Sequence, residues 1–289
     1  MSNTIELAKS FVPKLDECYR LASLTSVLDG APELAKQGAN ANELIIPMMS
    51  MDGLADYSRN GGYVQGGVTM TNETVKCNFD RGRRFDVDVM DDLETAGPCL
   101  WPSVRSFIRD KVVPELDAFR FASYCGISGV TKKEETLADG AATVAALSAA
   151  VTAMDDEEVT ATGRYLFITP TLLQGINDMD TTKSKKVLEG FEQVIKVPQR
   201  RFYTAIKQLS GKTGEEAGGY TKAAGAANIN FAIVQKDALI QYTKHAAPKI
   251  IAPENNPDAD AYVFGYRMVG IAKAYKNMLS GMYFSHDQA

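Results

Sequence analysis

VQGGVTMTNETVKCNFDRGRRFDVDVM, residues 64–90, alternates apolar and polar side chains over most of its length. Val64, Val68 and Met70 open the stretch. Val75, Cys77 and Phe79 then interleave with Lys76, Asn78 and Asp80, and Phe85, Val87 and Val89 with Asp86 and Asp88. A period of two marks strands with one face on a core and the other in solvent. Asn72-Glu73 and Arg81-Gly82 punctuate the runs. Just upstream, ELIIPMMSM (43–51) reads as an apolar strand whose Pro47 favours a sheet edge, and DYSRNGG (56–62) carries a turn at Asn60-Gly61. Together these predict a long, twisted, projecting hairpin. A two-stranded hairpin is marginal by itself in water, so it is expected to lie on a neighbour.

On the N-terminal side, Leu7, Phe11, Leu15 and Tyr19 share a helix face at spacing four, which Pro13 interrupts. The small, polar stretch that follows, up to Asn42, completes an arm that needs another surface to pack on. On the C-terminal side, Val104, Phe107, Ile108, Val112, Leu116 and Phe119 trace one face of a helix over 101–124. Pro114 predicts a bend in it, and Trp101 is expected to be buried beside it. Such a helix would be about 35 Å long, a strut across a domain. ADGAATVAALSAAVTAM (138–154) is a second helix, N-capped by Asp139. Residues 165–169 read as a buried strand closed by Pro170 and 229–234 as another, with a further strand opening at Ile250-Ile251. Residues 183–225 mix basic helix-like and glycine-rich stretches and read as the loop region. The block 262–284 returns to strand-like sequence.

The chain has 31 basic and 36 acidic residues, a net charge of −5 and a pI near 5.3. The basic stripe of a sequence-independent DNA binder is missing. Cys18, Cys77, Cys99 and Cys125 form no CxxC, and His245 and His286 are the two imidazoles, which disfavours a zinc site or a histidine triad. The pattern of a secretory leader and a long apolar span are both absent from the sequence. Gly211-Lys212-Thr213 resembles the end of a P-loop, but Ile206 stands where that motif needs glycine. The acidic runs Asp91-Asp92 and 155–158 read as helix-end charges. Arg200-Arg201, with Lys183, Lys185, Lys186, Lys196 and Lys207, forms the basic patch.

In order along the chain, DRGRRFDVD (80–88) with DDLET (91–95), VVPELDAFR (112–120), RYLFITP (164–170) and the closing 262–284 block resemble the major capsid protein family of tailed bacteriophages. The resemblance spans most of residues 40–284. It implies an α+β phage major capsid fold: an N-terminal arm (1–42), an extended hairpin loop with flanking strands (43–92), a peripheral domain with the spine helix (93–137), an axial domain (138–249) and return strands of the peripheral domain (250–289). It also implies assembly rather than catalysis. Copies of the chain would form pentamers and hexamers of an icosahedral shell around double-stranded DNA, with scaffolding, portal and decoration proteins as further partners, no cofactor and no membrane. The expected place is the virion, assembled in the host bacterial cytoplasm, with any scaffolding segment supplied separately or already removed. Asp56, Tyr57, Arg59, Tyr63, Arg83, Arg84, Arg200 and Arg201 are the expected inter-subunit residues, tyrosine and arginine being favoured at interfaces. Rival readings are a shell of the same fold with other cargo (encapsulin-like or a gene-transfer particle), another phage structural protein such as a tail tube, and a cytoplasmic α/β enzyme.

Overall fold

The computed structural model describes residues 23–30, 36–37, 43–90, 100–179 and 182–288. The helix expected at Leu7–Tyr19, the DDLET stretch and the side chains of Trp101, Lys183 and Lys185 lie outside what is described. The strands are β1 (Lys36–Gln37), β2 (Glu43–Met51), β3 (Val68–Lys76), β4 (Phe79–Asp88), β5 (Thr131–Glu134), β6 (Arg164–Ile168), β7 (Gln193–Lys196), β8 (Ile206–Gln208), β9 (Tyr220–Lys222), β10 (Ile229–Gln235), β11 (Leu239–Ile251), β12 (Ala261–Ala274) and β13 (Met282–His286). The helices are α1 (Leu100–Phe107), α2 (Val113–Cys125), α3 (Gly140–Asp156), α4 (Pro170–Asp178) and α5 (Thr182–Glu189).

The expected hairpin is β2 and β3, antiparallel from Glu43↔Lys76 out to Met51↔Val68. Residues 52–67 form its tip, closed by Asp52 N–H to the Gly67 carbonyl at 3.2 Å and by Gly67 N–H to Asp52 Oδ2 at 2.7 Å. The alternating run at 75–79 does not stay on one strand. β3 ends at Lys76, and β4 pairs with β12, not β3. Asn78 explains the switch: its side-chain amide donates to the Ala272 carbonyl and accepts from the Ala272 N–H, both at 2.9 Å, imitating a ladder rung and passing the chain to β12.

β11, β12 and β4 make an antiparallel three-stranded sheet. A five-stranded sheet in the order β5-β13-β10-β6-β7 forms the second layer, with β6 and β10 buried along their whole length. Such fully buried strands need cover on both faces. Leu166, Ile168, Phe231 and Ile233 meet α3 and α4, while Tyr165, Phe167, Ala232 and Val234 meet Phe121 and Tyr124 of α2. Asp139 caps α3 as expected, accepting from Ala142 N–H at 2.7 Å. Pro170 closes β6 and at once opens α4, a position where its missing N–H costs nothing.

The boundary expected at 249/250 falls inside β11, which Ile250-Ile251 ends rather than opens. The return strands also divide: β12 belongs to the three-stranded sheet, but β13 inserts between β10 and β5. In the region 183–225 the basic, helix-like stretch holds α5, and the rest is more ordered than its composition suggests, holding β7 and the small β8–β9 hairpin.

The strut is α1 and α2 joined by one π turn, Ile108–Val112, with Val113 N–H bonded to the Ile108 carbonyl. Pro114 sits in the first turn of α2. Its ring would meet the carbonyl four residues back, Asp110, and the wider turn lies at that point. Val104 and Ile108 are buried, and the next core position is five residues on, at Val113, followed by Leu116, Asp117, Arg120, Phe121 and Tyr124. The first half packs on Phe264, Tyr266 and Met268 of β12, the second on the five-stranded sheet, so one helical rod spans both layers.

Candidate assembly surfaces

The hairpin is two-faced. Cross-strand partners share a face, so Met51, Val68 and Met70 lie on one side and Ser50, Thr69 and Thr71 on the other. At the root, the Leu44↔Val75 pair belongs to the Ser50 side, and Val75 is buried against Ile271, with Cys77, Ile240 and Tyr242 beside it. The body of the subunit therefore covers the threonine side of the hairpin near its base. Met51, Val68 and Met70, on the opposite side, are each about two-thirds exposed. Leu54, Tyr57, Tyr63 and Val64 extend this apolar surface around the tip. Tyr57 and Tyr63 brace one another with ring centroids 4.9 Å apart. Asp56 and Arg59 are exposed beside them. Ser58 accepts the Gly61 N–H and exchanges backbone bonds with Gly62, whose φ of +74° suits glycine.

Two arginines of β4, Arg81 and Arg83, make contacts with a distant loop of the same subunit. Arg83 donates to the carbonyls of Glu216 (2.8 Å) and Ala217 (3.2 Å) and lies 6.0 Å from the Phe85 ring centroid. Arg81, not singled out from sequence, donates to the Leu209 carbonyl at 2.7 Å and pairs with Glu115 at 2.8 Å. Burial pushes the Glu115 carboxyl above its usual range, and Arg81 opposes that rise. Arg84 faces solvent, joined to Asp86 at 2.8 Å. Arg81 and Arg83 thus pin the glycine-rich β8–β9 loop to β4. Within that loop Glu215 takes the Ser210 N–H (2.7 Å) and Lys207 Nζ (2.6 Å), which hold its carboxyl down at about 2. Protein carboxylates occupy these donors, and the Gly211-Lys212-Thr213 stretch lies in a β-hairpin turn, not between a strand and a helix as a P-loop requires.

The Arg200-Arg201 pair divides. Arg200 is exposed. Arg201 turns inward to Asp117, Nη1 to Oδ2 at 3.2 Å. Asp117 is fully buried and also accepts from Ser23 Oγ (2.9 Å), Thr25 Oγ1 (2.7 Å) and the N–H groups of Leu24 and Thr25. One turn along α2, Arg120 donates to Thr25 Oγ1 at 2.8 Å and to Asp29 and Thr243. Tyr124 donates to Gln241 Oε1, and Gln241 in turn donates to the Thr25 carbonyl, both at 2.6 Å. Buried charges persist where each is paired and hydrogen-bonded, as here. Sequence reasoning missed this cluster because in an unbroken helix Asp117 would stand about 180° from Ile108, on the solvent side. The π turn brings it round to the core.

Among the described residues no group of three His, Cys, Asp or Glu side chains converges on a metal position, and no helix is long and apolar enough to cross a membrane. Exposed apolar side chains on the hairpin and its tip stand out among the described residues.

No protein-family model and no curated protein matches the sequence. Solved structures do. The capsid of the cyanophage P-SCSP1u superposes with a TM-score of 0.61 at 10% identity, covering 87% of this chain and 85% of that one. A virus-like particle from Pyrococcus furiosus gives 0.60 at 10% identity over 94% and 95%. A chain of Mycobacterium phage Che8 gives 0.55 at 12% identity over 84% of each. The fold is therefore one from which particle shells are built. In particular, it is the α+β major capsid fold found in tailed phages.

Proposed function

We propose that this chain is a major capsid protein, a structural subunit whose copies form the icosahedral shell of a tailed-phage head. The observation that carries the reading is the uncovered apolar face of the hairpin, which points away from the subunit's own body. Apolar surface of this kind is stabilised by leaving water, at roughly 25 cal/mol per Å². A second copy laid against it supplies the cover. The donor face is a hairpin and the acceptor a different patch, so the contact is heterologous and closes into rings, pentamers and hexamers. Asp56, Tyr57, Arg59, Tyr63, Arg84 and Arg200 are the exposed members of the proposed contact set; Arg83 contributes by shaping the β4 edge.

The three-stranded sheet with α1 corresponds in this reading to the peripheral region, and the five-stranded sheet with α3 to α5 to the axial region. The net charge of −5 suits a wall that encloses double-stranded DNA without gripping it. Scaffolding, portal and decoration proteins are the further partners, and the place of action is the virion after assembly in the bacterial cytoplasm. A shell of the same fold with other cargo is the second reading, favoured by the similar superposition on the virus-like particle from Pyrococcus furiosus. Nuclease-protected DNA inside purified particles separates phage-type contents from protein cargo.

The face assignment has a direct test. Val68→Asp with Met70→Asp should leave a folded subunit that no longer assembles, whereas Thr69→Asp with Thr71→Asp should assemble far better. Equal assembly of the two variants, followed by sedimentation, would remove the hairpin face from the interface.

A further inference from the structure

We infer that residues 23–30 are a latch that couples the N-terminal segment to the Gln199–Arg201 turn through the single carboxylate of Asp117. The inference concerns the subunit alone and stands whether or not the subunit builds a shell.

Three separate pieces of chain meet at Asp117. Oδ1 takes the Ser23 and Thr25 hydroxyls and the Thr25 N–H; Oδ2 takes the Leu24 N–H and the Arg201 guanidinium. Asp117 is fully buried and the Arg201 side chain four-fifths buried, so with both segments in place the ion pair is largely screened from water. The segment is held at two further points. Leu28 is buried in the core shared by α2 and the five-stranded sheet. Asp29 accepts from Arg120 and from Gln241, while the Gly30 N–H bonds to the Gln241 carbonyl.

The arrangement makes the two ends of the clamp interdependent. If residues 23–25 withdraw, Asp117 loses four donors and keeps the Arg201 guanidinium. If Arg201 withdraws, a buried carboxylate is left to the hydroxyls and amides of residues 23–25. Each segment also shields the carboxylate from water: when one departs, water reaches Asp117 and weakens the bonds of the segment that remains, so the two contacts favour one another, and the coupling is reciprocal. The Gln199–Arg201 turn also carries the exposed Arg200, whose carbonyl accepts the Tyr220 hydroxyl of β9 at 2.8 Å. Whatever pulls on the chain preceding residue 23 therefore acts on Arg200 and on the β8–β9 hairpin, surfaces that lie on another part of the subunit.

Amide hydrogen exchange on the full chain, read at single-residue resolution, tests this from both ends. Ser23→Ala with Thr25→Val removes both hydroxyls and leaves α2 intact. It should speed exchange at Leu24 and Thr25 by about tenfold or more, the loss expected for hydrogen bonds to a buried charge, and also speed exchange at Arg201 and Phe202. Arg201→Gln, at the far end, should speed exchange at Leu24 and Thr25. Amides of β6 and β10 should stay protected in both variants. Faster exchange confined to the mutated end, in either variant, would overturn the coupling. Should the double variant fail to fold, Arg201→Gln by itself decides: unchanged exchange at Leu24 and Thr25 would refute the latch.

Discussion

Arg201, in the turn after β7, reaches across the subunit to Asp117 on α2, placing Nη1 3.2 Å from Oδ2. Its neighbour Arg200 points to solvent. Two adjacent arginines of one basic patch thus face opposite ways, one into the subunit and one to solvent.

Charge reversal should separate them. Arg201→Glu sets a second carboxylate against a buried one and should cost about 3–5 kcal/mol, the usual penalty for breaking a buried pair. Arg200→Glu should change stability by no more than about 0.5 kcal/mol, as for other exposed substitutions. Urea unfolding followed by circular dichroism reads both, and equal losses for the two variants would contradict the assignment.

The π turn makes its own prediction. Val113 is fully buried, whereas Val112 is half-buried. Val113→Ala should cost about 2–3 kcal/mol, from lost transfer energy plus a cavity, and Val112→Ala less than about 1 kcal/mol. The reverse ranking in thermal denaturation would restore the helix face read from sequence, which runs through Val112.

The β8–β9 loop should respond to acid at one carboxylate. Lys207 and the Ser210 amide hold Glu215 at about 2, below its ordinary 4.5. A depressed carboxyl contributes stability that is fully present above the unfolded value and is lost as pH falls through the folded one. The loop clasp should therefore persist at pH 4.5 and open towards pH 2. Titration of the Ser210 amide by NMR should show a midpoint near about 2, and Lys207→Ala should raise it. A midpoint at the ordinary glutamate value would mean that the clasp does not form in solution.

What was legible in the sequence followed from local rules. Alternation at 64–90 revealed the strands, Asp139 the start of α3, and the run at 229–234 the buried β10. The errors came where one residue changed the register. Asn78 hands the chain from the hairpin to β12 through side-chain bonds that alternation does not report. The π turn rotates Asp117, Arg120 and Tyr124 onto the core face, so charges that periodicity assigns to solvent become the centre of the clamp. The inward turn of Arg201 depends on a partner 84 positions away, which no spacing rule supplies.

Electron microscopy of the purified full-length protein, concentrated and examined with and without nuclease treatment, tests the central claim most directly. Closed, regular shells built from pentameric and hexameric rings are the result expected of this fold and hairpin surface. A protein that stays monomeric at every concentration, with its hairpin apolar face open to solvent and no rings in the images, would contradict the claim that this chain is a shell subunit.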